Sequence, residues 1–374
     1  MRRPLPLLLA VLVLAGTVFA GCSDSGSGGV APPTSRTGGS AGPTSSTVPA
    51  SPGRFVDAWA ASDKEIWALF SEPCPRPGAD TARCGVVSRT TDAGGTWTRL
   101  GRLDVDTSAD GDTDVVSSVH FADSQHGWVY DRSLFATFNG GRRWQRVDLG
   151  NPVAAVASAG TSAYALVATC GYGAGNCSAP MRLAEGTIST GRWRYVGLGF
   201  DLPATDVGNL VVSRAGVYAI VVRGLDQTFM ARTGNRRWER RQLPCQRALV
   251  TTIQAQDGLV AACRPAAPTG PVELQTSSDG GRTWAVVWQQ TFPSPVSSLA
   301  VTGQAALVGL ENGDVLRSVD NGMTFTTAVA AGVAPSIRFF DAEHGTVLGG
   351  SPGERRLYRT DDGGVTWKVV PPPG

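Results

Sequence analysis

An aromatic residue at the end of a short turn-forming motif recurs seven times in this 374-residue chain. The clearest copy spans residues 277–284 and has the sequence Ser-Ser-Asp-Gly-Gly-Arg-Thr-Trp. The closing aromatic residues follow one another at intervals of 41 to 49 residues and are Trp97, Trp144, Trp193, Trp238, Trp284, Phe325 and Trp367. A repeat of this length cannot bury its own apolar surface, so the copies are expected to pack against one another in one domain.

Five copies of the motif carry an acid or amide five residues before the aromatic residue. The pairs are Asp92 with Trp97, Asn139 with Trp144, Asp279 with Trp284, Asp320 with Phe325, and Asp362 with Trp367. An Asp in a tight turn accepts hydrogen bonds from nearby backbone N–H groups, and Gly supplies the positive φ that the turn needs. Because the aromatic ring then packs between neighbouring sheets, we predict that the motif is structural and contributes no catalytic residue.

Apolar and alternating segments around each motif predict four β-strands per repeat. In the second repeat these strands are Val115–Phe121, Gly127–Tyr130, Leu134–Phe138 and Trp144–Val147. Seven such repeats predict an all-β fold, a seven-bladed β-propeller with four-stranded antiparallel blades over residues 54–370. We expect the ring to close between whole blades, ahead of a Pro-rich tail at 371–374. Trp59, Trp67 and Trp128 are expected to lie in the core between blades.

The pattern Ser/Thr-x-Asp-x-Gly-x-Thr-Trp resembles the Asp box of BNR-repeat proteins. Residues 121–128 and 339–345 also resemble each other. Together with the repeats they make the chain similar to BNR-like propellers of the photosystem II assembly factor type; sialidases and sortilin ectodomains share the Asp box. The resemblance implies a structural motif and an assembly or scaffolding role, and it is specific for architecture rather than activity.

Two other functions are compatible with the repeat. One is a sialidase-like glycoside hydrolase, whose relatives have six blades, three arginines on the substrate carboxylate, a Tyr–Glu nucleophile pair and an acidic Asp. The sequence shows seven repeats and no recognisable counterpart of those residues. The other is a passive glycan-binding module. We favour a non-enzymatic binding protein and predict no cofactor.

The first 21 residues have the features of a signal peptide, with Arg2 and Arg3 before an apolar run. Residues 18–22 (Val-Phe-Ala-Gly-Cys) resemble a bacterial lipobox, which implies cleavage before Cys22 and lipidation of its thiol. The expected location is therefore the bacterial cell envelope, with the protein lipid-anchored to the outer side of the cytoplasmic membrane. Residues 22–53 are rich in Ser, Gly, Thr and Pro, which predicts a flexible tether to this membrane.

Six further cysteines remain, and fifteen pairings are available to them. Proximity in the sequence favours Cys74 with Cys84, Cys170 with Cys177, and Cys245 with Cys263, and disulfides persist in exported proteins. Zinc binding is the alternative, but the chain has no Cys-x-x-Cys motif.

In a propeller, all three predicted pairs would lie on the face opposite the Asp boxes. That face would also carry the long loops 71–84, 171–178, 264–272 and 351–355. Loops braced in this way suit a binding surface, so we expect a protein or peptide partner there, with a glycan as the alternative.

The net charge of +2 falls to zero once Arg2 and Arg3 are removed with the signal peptide, so no nucleic-acid partner is expected. One acidic segment contains five aspartates that could supply oxygen ligands to Ca²⁺. They are Asp104, Asp106, Asp110, Asp112 and Asp114. Their spacing is not that of an EF-hand, and we interpret the segment as a solvated loop between blades rather than a metal site.

Overall fold

Alternating apolar strands separated by glycine-rich turns produce an entirely β architecture in the computed structural model of the protein. It describes residues 53–74, 83–107, 115–170, 177–213, 215–224, 226–234, 237–245, 248–255, 258–265, 270–302, 305–351 and 353–373. The signal-peptide and tether predictions therefore fall outside the described residues. The described part of the chain contains no helix that is long and apolar enough to span a membrane.

In the described residues, twenty-eight strands form seven antiparallel sheets of four strands, and each sheet follows sequence order. Blades 1 to 4 comprise β1 (Arg54–Ala60), β2 (Ile66–Pro73), β3 (Arg83–Thr90) and β4 (Thr98–Asp106); β5 (Val116–Phe121), β6 (Gly127–Asp131), β7 (Leu134–Thr137) and β8 (Gln145–Val147); β9 (Val153–Ala159), β10 (Ser162–Val167), β11 (Arg182–Thr187) and β12 (Arg192–Tyr195); β13 (Gly208–Ser213), β14 (Gly216–Arg223), β15 (Asp226–Arg232) and β16 (Glu239–Arg240). Blades 5 to 7 comprise β17 (Ala248–Ala255), β18 (Leu259–Pro265), β19 (Val272–Ser277) and β20 (Ala285–Gln290); β21 (Val296–Thr302), β22 (Ala305–Leu310), β23 (Asp314–Ser318) and β24 (Thr326–Ala330); β25 (Ser336–Phe339), β26 (Gly345–Gly349), β27 (Arg356–Thr360) and β28 (Lys368–Val370).

The seven sheets are arranged in a ring, which confirms the predicted seven-bladed β-propeller. The first strand of each blade lies innermost, and from blade 1 to blade 7 each contacts the first strand of the next blade. The ring closes where β1 contacts β26 and β27 of the last blade. No strand of one terminus joins the sheet of the other among the described residues, so closure between whole blades is confirmed.

The hydrophobic core is divided into seven clusters, and each lies between two neighbouring blades. Each cluster contains one of the seven motif aromatics. Trp193 packs edge-on against Trp128 of the preceding blade, and Trp284 packs in the same way against Phe229. The aromatic residue that ends each motif therefore joins its own blade to the one before it, as the sequence predicts.

Polar side chains on the inner strands add hydrogen bonds between blades. The Asp57 carboxylate accepts a 2.9 Å bond from the backbone N–H of Val119, and Thr302 donates a 2.9 Å bond to the carbonyl oxygen of Asp341. At the closure, Arg338 donates a 3.2 Å bond to the carbonyl oxygen of Ala58. These bonds connect neighbouring blades whose inner strands do not pair with one another.

Trp67 and Trp128 are buried in the inter-blade clusters as expected; Trp59 packs against the same cluster as Trp67 but is only partly buried, and it also lines the central channel. One sequence-based prediction needs correction. Asp104 and Asp106 do not lie in a loop, since β4 continues through both of them. The outer strand of blade 1, β4, extends to Asp106 because its partner β3 is long and provides backbone hydrogen-bonding groups as far as Cys84, which pairs with Asp106.

Candidate functional site: the loop-rich face

The antiparallel order of the strands gives the ring two different faces. The turns between first and second strands and the motif turns between third and fourth strands lie on one face, which we call the motif face. The loops between second and third strands and the connections between blades lie on the other, which we call the loop-rich face. This division follows from the alternating strand direction within each blade.

The motif turns are closed by hydrogen bonds within each motif. In blade 5, Asp279 Oδ1 accepts bonds from Ser277 Oγ at 2.8 Å and from the Thr283 N–H at 3.0 Å. Its Oδ2 atom accepts a 2.7 Å bond from Thr283 Oγ1. Both carboxylate oxygens therefore accept hydrogen bonds inside the turn, which gives the carboxylate a structural role.

These bonds favour the charged form of the motif aspartates. The Thr96 backbone N–H and hydroxyl, with the Thr90 hydroxyl, lower the pKa of Asp92 to about 2. The Thr324 hydroxyl and N–H lower the pKa of Asp320 to about 2 in the same way. In blade 2, Asn139 keeps the geometry without a charge, because its side-chain oxygen accepts a 2.9 Å bond from the Arg143 N–H.

All three predicted cysteine pairs lie at disulfide-bonding distance, and all three lie on the loop-rich face. Cys74–Cys84 and Cys170–Cys177 each close a loop between second and third strands. Cys245–Cys263 joins the connection from blade 4 to the second strand of blade 5. The covalent cross-links are therefore concentrated on the face that carries the longer loops.

A groove of about 540 Å³ opens on the loop-rich face at blade 3. Residues 180–183 form one wall, and residues 195–202, in the connection to blade 4, form the other. The Met181 N–H donates a 3.1 Å bond to the carbonyl oxygen of Pro203, and the Val196 N–H donates a 2.9 Å bond to that of Leu183. The connection is therefore fixed at both of these ends, and the groove lies between it and residues 180–183.

Sequence analysis did not identify this groove. Its walls come from segments that are separated along the chain, and no motif joins them. The one available signal was the connection between β12 and β13, which begins with Val-Gly-Leu-Gly-Phe at residues 196–200. Two glycines among apolar residues in a connection indicate an irregular surface segment rather than another strand.

The ring axis contains a channel of about 860 Å³. Among the described residues its lining includes Trp59, His120, Tyr130, Ser158, Asn209 and Arg338. Several of these groups contact one another: His120 Nε2 lies 2.9 Å from Ser158 Oγ, and the His120 ring lies 4.1 Å from the Trp59 ring, centroid to centroid. The Arg338 guanidinium lies 4.9 Å from the Trp59 ring centroid.

Burial dominates the ionisation of the channel groups. Desolvation, with the Arg338 charge, lowers the pKa of His120 to about 3. Desolvation, with the Asp57 charge, raises the pKa of Tyr130 to about 12. Arg338 is the only arginine in the described channel lining, so the three converging arginines of the sialidase interpretation are not found in that part of the structure.

Two of the five aspartates in the acidic segment lie among the described residues. Asp104 lies 3.7 Å from Arg102, and Asp106 accepts a 2.9 Å bond from the Thr107 N–H. Asp110, Asp112 and Asp114 lie outside the described residues. Within the described ranges, no three His, Cys, Asp or Glu side chains are grouped so that they could hold a metal ion.

The histidines of the turns between first and second strands have a local role. His126 Nδ1 lies 2.9 Å from Asp123 Oδ2, and His344 Nδ1 lies 2.8 Å from Asp341 Oδ2. The two turns are equivalent in blades 2 and 7, as the similarity of their sequences predicts. This repeated geometry holds the turns on the motif face.

The ring of seven blades, its closure between whole blades and its three disulfides define the class of the protein. It is a disulfide-braced seven-bladed propeller in which the terminal blades exchange no strand among the described residues. No protein-family model matches the sequence, and no curated protein matches it. Similar solved structures include YCF48 bound to D1 peptide, with 17% identity over 83% of this chain and 94% of that chain and a TM-score of 0.53. A YCF48 from Cyanidioschyzon merolae has 15% identity over 84% of this chain and 95% of that chain, with a TM-score of 0.50.

A third similar structure is the propeller domain of the Trilobed protease from Pyrococcus furiosus, described as having an open velcro topology. It has 7% identity over 86% of this chain and 98% of that chain, with a TM-score of 0.54. At such low identities, all of these similarities establish a shared fold and leave function to be argued from the residues of this chain.

Proposed function

We propose that this protein is a non-enzymatic binding or assembly scaffold that holds a protein or peptide partner on its loop-rich face. The observation that carries the proposal is the placement of all three cross-linked cysteine pairs on this one face. A surface that is kept in one conformation loses less conformational entropy when it binds. On the motif face, the motif carboxylates accept hydrogen bonds within their own turns, so these turns offer less for recognition.

The similarity to YCF48 bound to D1 peptide supports the choice of a peptide or protein partner. It shows that a propeller of similar shape binds a peptide, and we extend the class of ligand to this chain without extending its identity. We also propose that the hairpin motifs are Asp boxes of the BNR-repeat type, because their Asp–Thr hydrogen bonds supply the physical function of that motif.

We further propose that a lipid on Cys22 holds the scaffold at the outer side of the cytoplasmic membrane. The support is the lipobox-like sequence at residues 18–22 and the Ser/Gly-rich segment that follows it. Two or more acyl chains anchor a protein stably, whereas one gives only marginal binding. Replacing Cys22 by Ser is expected to abolish incorporation of labelled fatty acid and to release the protein from the membrane fraction; unchanged incorporation would disprove the anchor.

Exposed valines on the two faces provide a matched test of the binding surface. Val207 and Val333 lie in blade connections on the loop-rich face and are 57% and 52% exposed. Val319 and Val365 lie in motif turns on the opposite face and are 59% and 56% exposed. Each is replaced in turn by a photoreactive benzoylphenylalanine in the full chain, and envelopes are irradiated.

The proposal predicts that discrete cross-linked bands form from positions 207 and 333 and that positions 319 and 365 give none. Mass spectrometry of the bands identifies the partner. Cross-links that form equally from both faces, or from the motif face alone, would refute the proposed binding surface. The absence of any specific cross-link from all four positions would refute the scaffold function itself.

A further inference from the structure

The groove at blade 3 has a floor that suits an apolar side chain. Met181, Leu183 and Leu202 lie at its base and are buried in the cluster between blades 3 and 4. Leu198 and Phe200 pack against the same cluster and are only partly covered. The groove therefore combines a fixed apolar base with an apolar rim that water still reaches.

Its rim carries two arginines that are held in place by aromatic rings. The Arg182 guanidinium lies 3.2 Å from the ring centroid of Tyr195, and the Tyr195 hydroxyl donates to the carbonyl oxygen of Leu149. The Arg240 guanidinium lies 4.6 Å from the Phe200 ring centroid and donates a 3.0 Å bond to the carbonyl oxygen of Asp201. Stacking of this kind orders a guanidinium and leaves its in-plane N–H groups directed outward.

Neither arginine forms an ion pair with a carboxylate of the described residues. The neighbouring Glu185 is already neutralised, because both Arg194 and Arg232 bind it. Asp201 is the one carboxylate among the described residues of the groove lining. With Arg182 and Arg240 on the rim, the groove has a positive balance and complements an acidic ligand.

The backbone of the outer wall is also available for binding. In the described chain, the N–H groups of Gly197, Leu198 and Gly199 donate to no protein acceptor, and both glycines are exposed. Free backbone donors beside an apolar depression suit an extended peptide, which presents carbonyl oxygens and side chains alternately. The opposite wall continues from the loop closed by Cys170–Cys177, which fixes its position.

We infer that this groove binds an extended acidic peptide segment in which a large apolar side chain is flanked by carboxylates. The apolar side chain occupies the base formed by Met181, Leu183 and Leu202, and the carboxylates bind Arg182 and Arg240. The inference rests on the proposed function, since it names the chemistry of the partner for one part of the loop-rich face.

The test uses the full chain in detergent micelles and fluorescence anisotropy. The probe is a fluorescein-labelled peptide with a central Leu-Phe pair flanked on each side by two glutamates. A second peptide carries lysines in place of the glutamates. The acidic peptide is expected to bind with an affinity that falls as salt is added, and the basic peptide is expected not to bind.

Variants locate the binding in the groove. Arg182→Ala and Arg240→Ala are each expected to weaken binding about tenfold, the effect of losing a charge-assisted hydrogen bond. Asp201→Asn is expected to strengthen it. Gly197→Trp should block the groove without disturbing the fold, because a Cβ at this position meets no atom within 4 Å. The matched control is the double variant Arg142→Ala, Arg143→Ala, which removes two exposed arginines from the motif face and should leave binding unchanged.

The inference is overturned if the acidic peptide does not bind, if the basic peptide binds as well, or if the groove variants bind like the parent protein. Circular dichroism confirms that each variant is folded, and Gly197→Trp provides the test if an arginine variant is not. The photo-crosslinks separate the two proposals. If positions 207 and 333 still cross-link in Gly197→Trp, the scaffold function stands even where the groove inference fails.

Discussion

The indole Nε1–H of Trp97, in the first blade, donates a 2.9 Å hydrogen bond to the carbonyl oxygen of Pro371, just beyond the last strand. The Trp97 ring packs edge-on against Phe55 and Phe70 in the cluster between blades 7 and 1. In a ring without strand exchange, side chains alone connect the two ends. Trp97 therefore joins the last blade to the first, as each of the other motif aromatics joins its own blade to the one before it.

Replacing Trp97 by Phe should lower the free energy of unfolding by about 1 kcal/mol, because the ring is retained and the hydrogen bond to Pro371 is lost. Replacement by Ala should cost about 3 kcal/mol, because a cavity then forms at the closure. Urea unfolding followed by circular dichroism measures both changes. Equal stability of the Phe and Ala variants would show that ring packing contributes nothing at this interface.

The motif aspartates should make the fold acid-sensitive. Their folded-state pKa lies below the unfolded value of 3.8, so the stabilisation is present above that value and is lost as pH falls towards about 2. Asp92→Asn and Asp320→Asn should each lower stability at neutral pH and flatten the acid loss in this range. Unfolding midpoints measured from neutral to acidic pH test this expectation.

Asn139 provides the internal comparison for these variants, because blade 2 already has the uncharged form of the motif. Replacing Asn139 by Asp should produce the opposite change, with higher stability at neutral pH and a steeper loss in acid. An Asn139→Asp variant whose acid profile matches that of the parent protein would contradict a stabilising role for the charge.

The buried imidazole of His120 predicts a further loss of stability, at less acidic pH than the loss caused by the motif aspartates. Its folded pKa of about 3 lies below the unfolded value of 6.5, so the unfolded state takes up the proton first as pH falls. The free energy of unfolding should fall by about 2 kcal/mol between pH 7 and pH 5 from this group alone. His120→Gln, which does not titrate and can still bond Ser158, should remove most of this loss. Denaturant unfolding of both proteins at pH 7 and pH 5 tests this expectation. If the His120→Gln variant loses as much stability as the parent protein, His120 is not the cause of the loss.

Removing the Cys245–Cys263 cross-link should destabilise the protein by about 3 kcal/mol, since the unfolded chain regains the freedom of the closed segment. Both cysteines are buried in the cluster between blades 4 and 5, so Ala is a suitable replacement for each. The Cys170–Cys177 disulfide closes a shorter segment, with a sequence separation of 7 rather than 18 residues. The Cys170→Ala, Cys177→Ala double variant should therefore lose less stability. Guanidinium unfolding of the two double variants measures the difference, and a larger loss for the shorter segment would contradict this explanation.

Much of the architecture was predictable because it is encoded locally and repeatedly. The motif turns depend on residues within five positions of one another, so the hydrogen bonds between Asp279 and Thr283 can be predicted from the sequence. Seven motif aromatics at a regular interval, five of them preceded by the acid or amide, specify the number of blades. Strand ends were less predictable: the third strand of blade 2 stops at Thr137, one residue before the predicted end.

The candidate binding site was predictable only as a face. Alternation of strand direction assigns Cys74, Cys170 and Cys245 to one side of the ring, and short sequence separation favours their pairing. The groove could not be found in this way. Arg182 and Arg240 belong to different blades, and only the folded structure stacks each of them on an aromatic ring of the groove lining, Tyr195 or Phe200.

By itself, therefore, the sequence determined a seven-bladed ring, its structural hairpins and the face that is cross-linked, since each depends on short-range patterns repeated along the chain. The tertiary structure alone decided that Trp59 lines the channel, that β4 extends through Asp106, and that two stacked arginines frame an open groove. These features depend on which distant segments meet when the ring closes, and packing between blades has no local signature in the sequence.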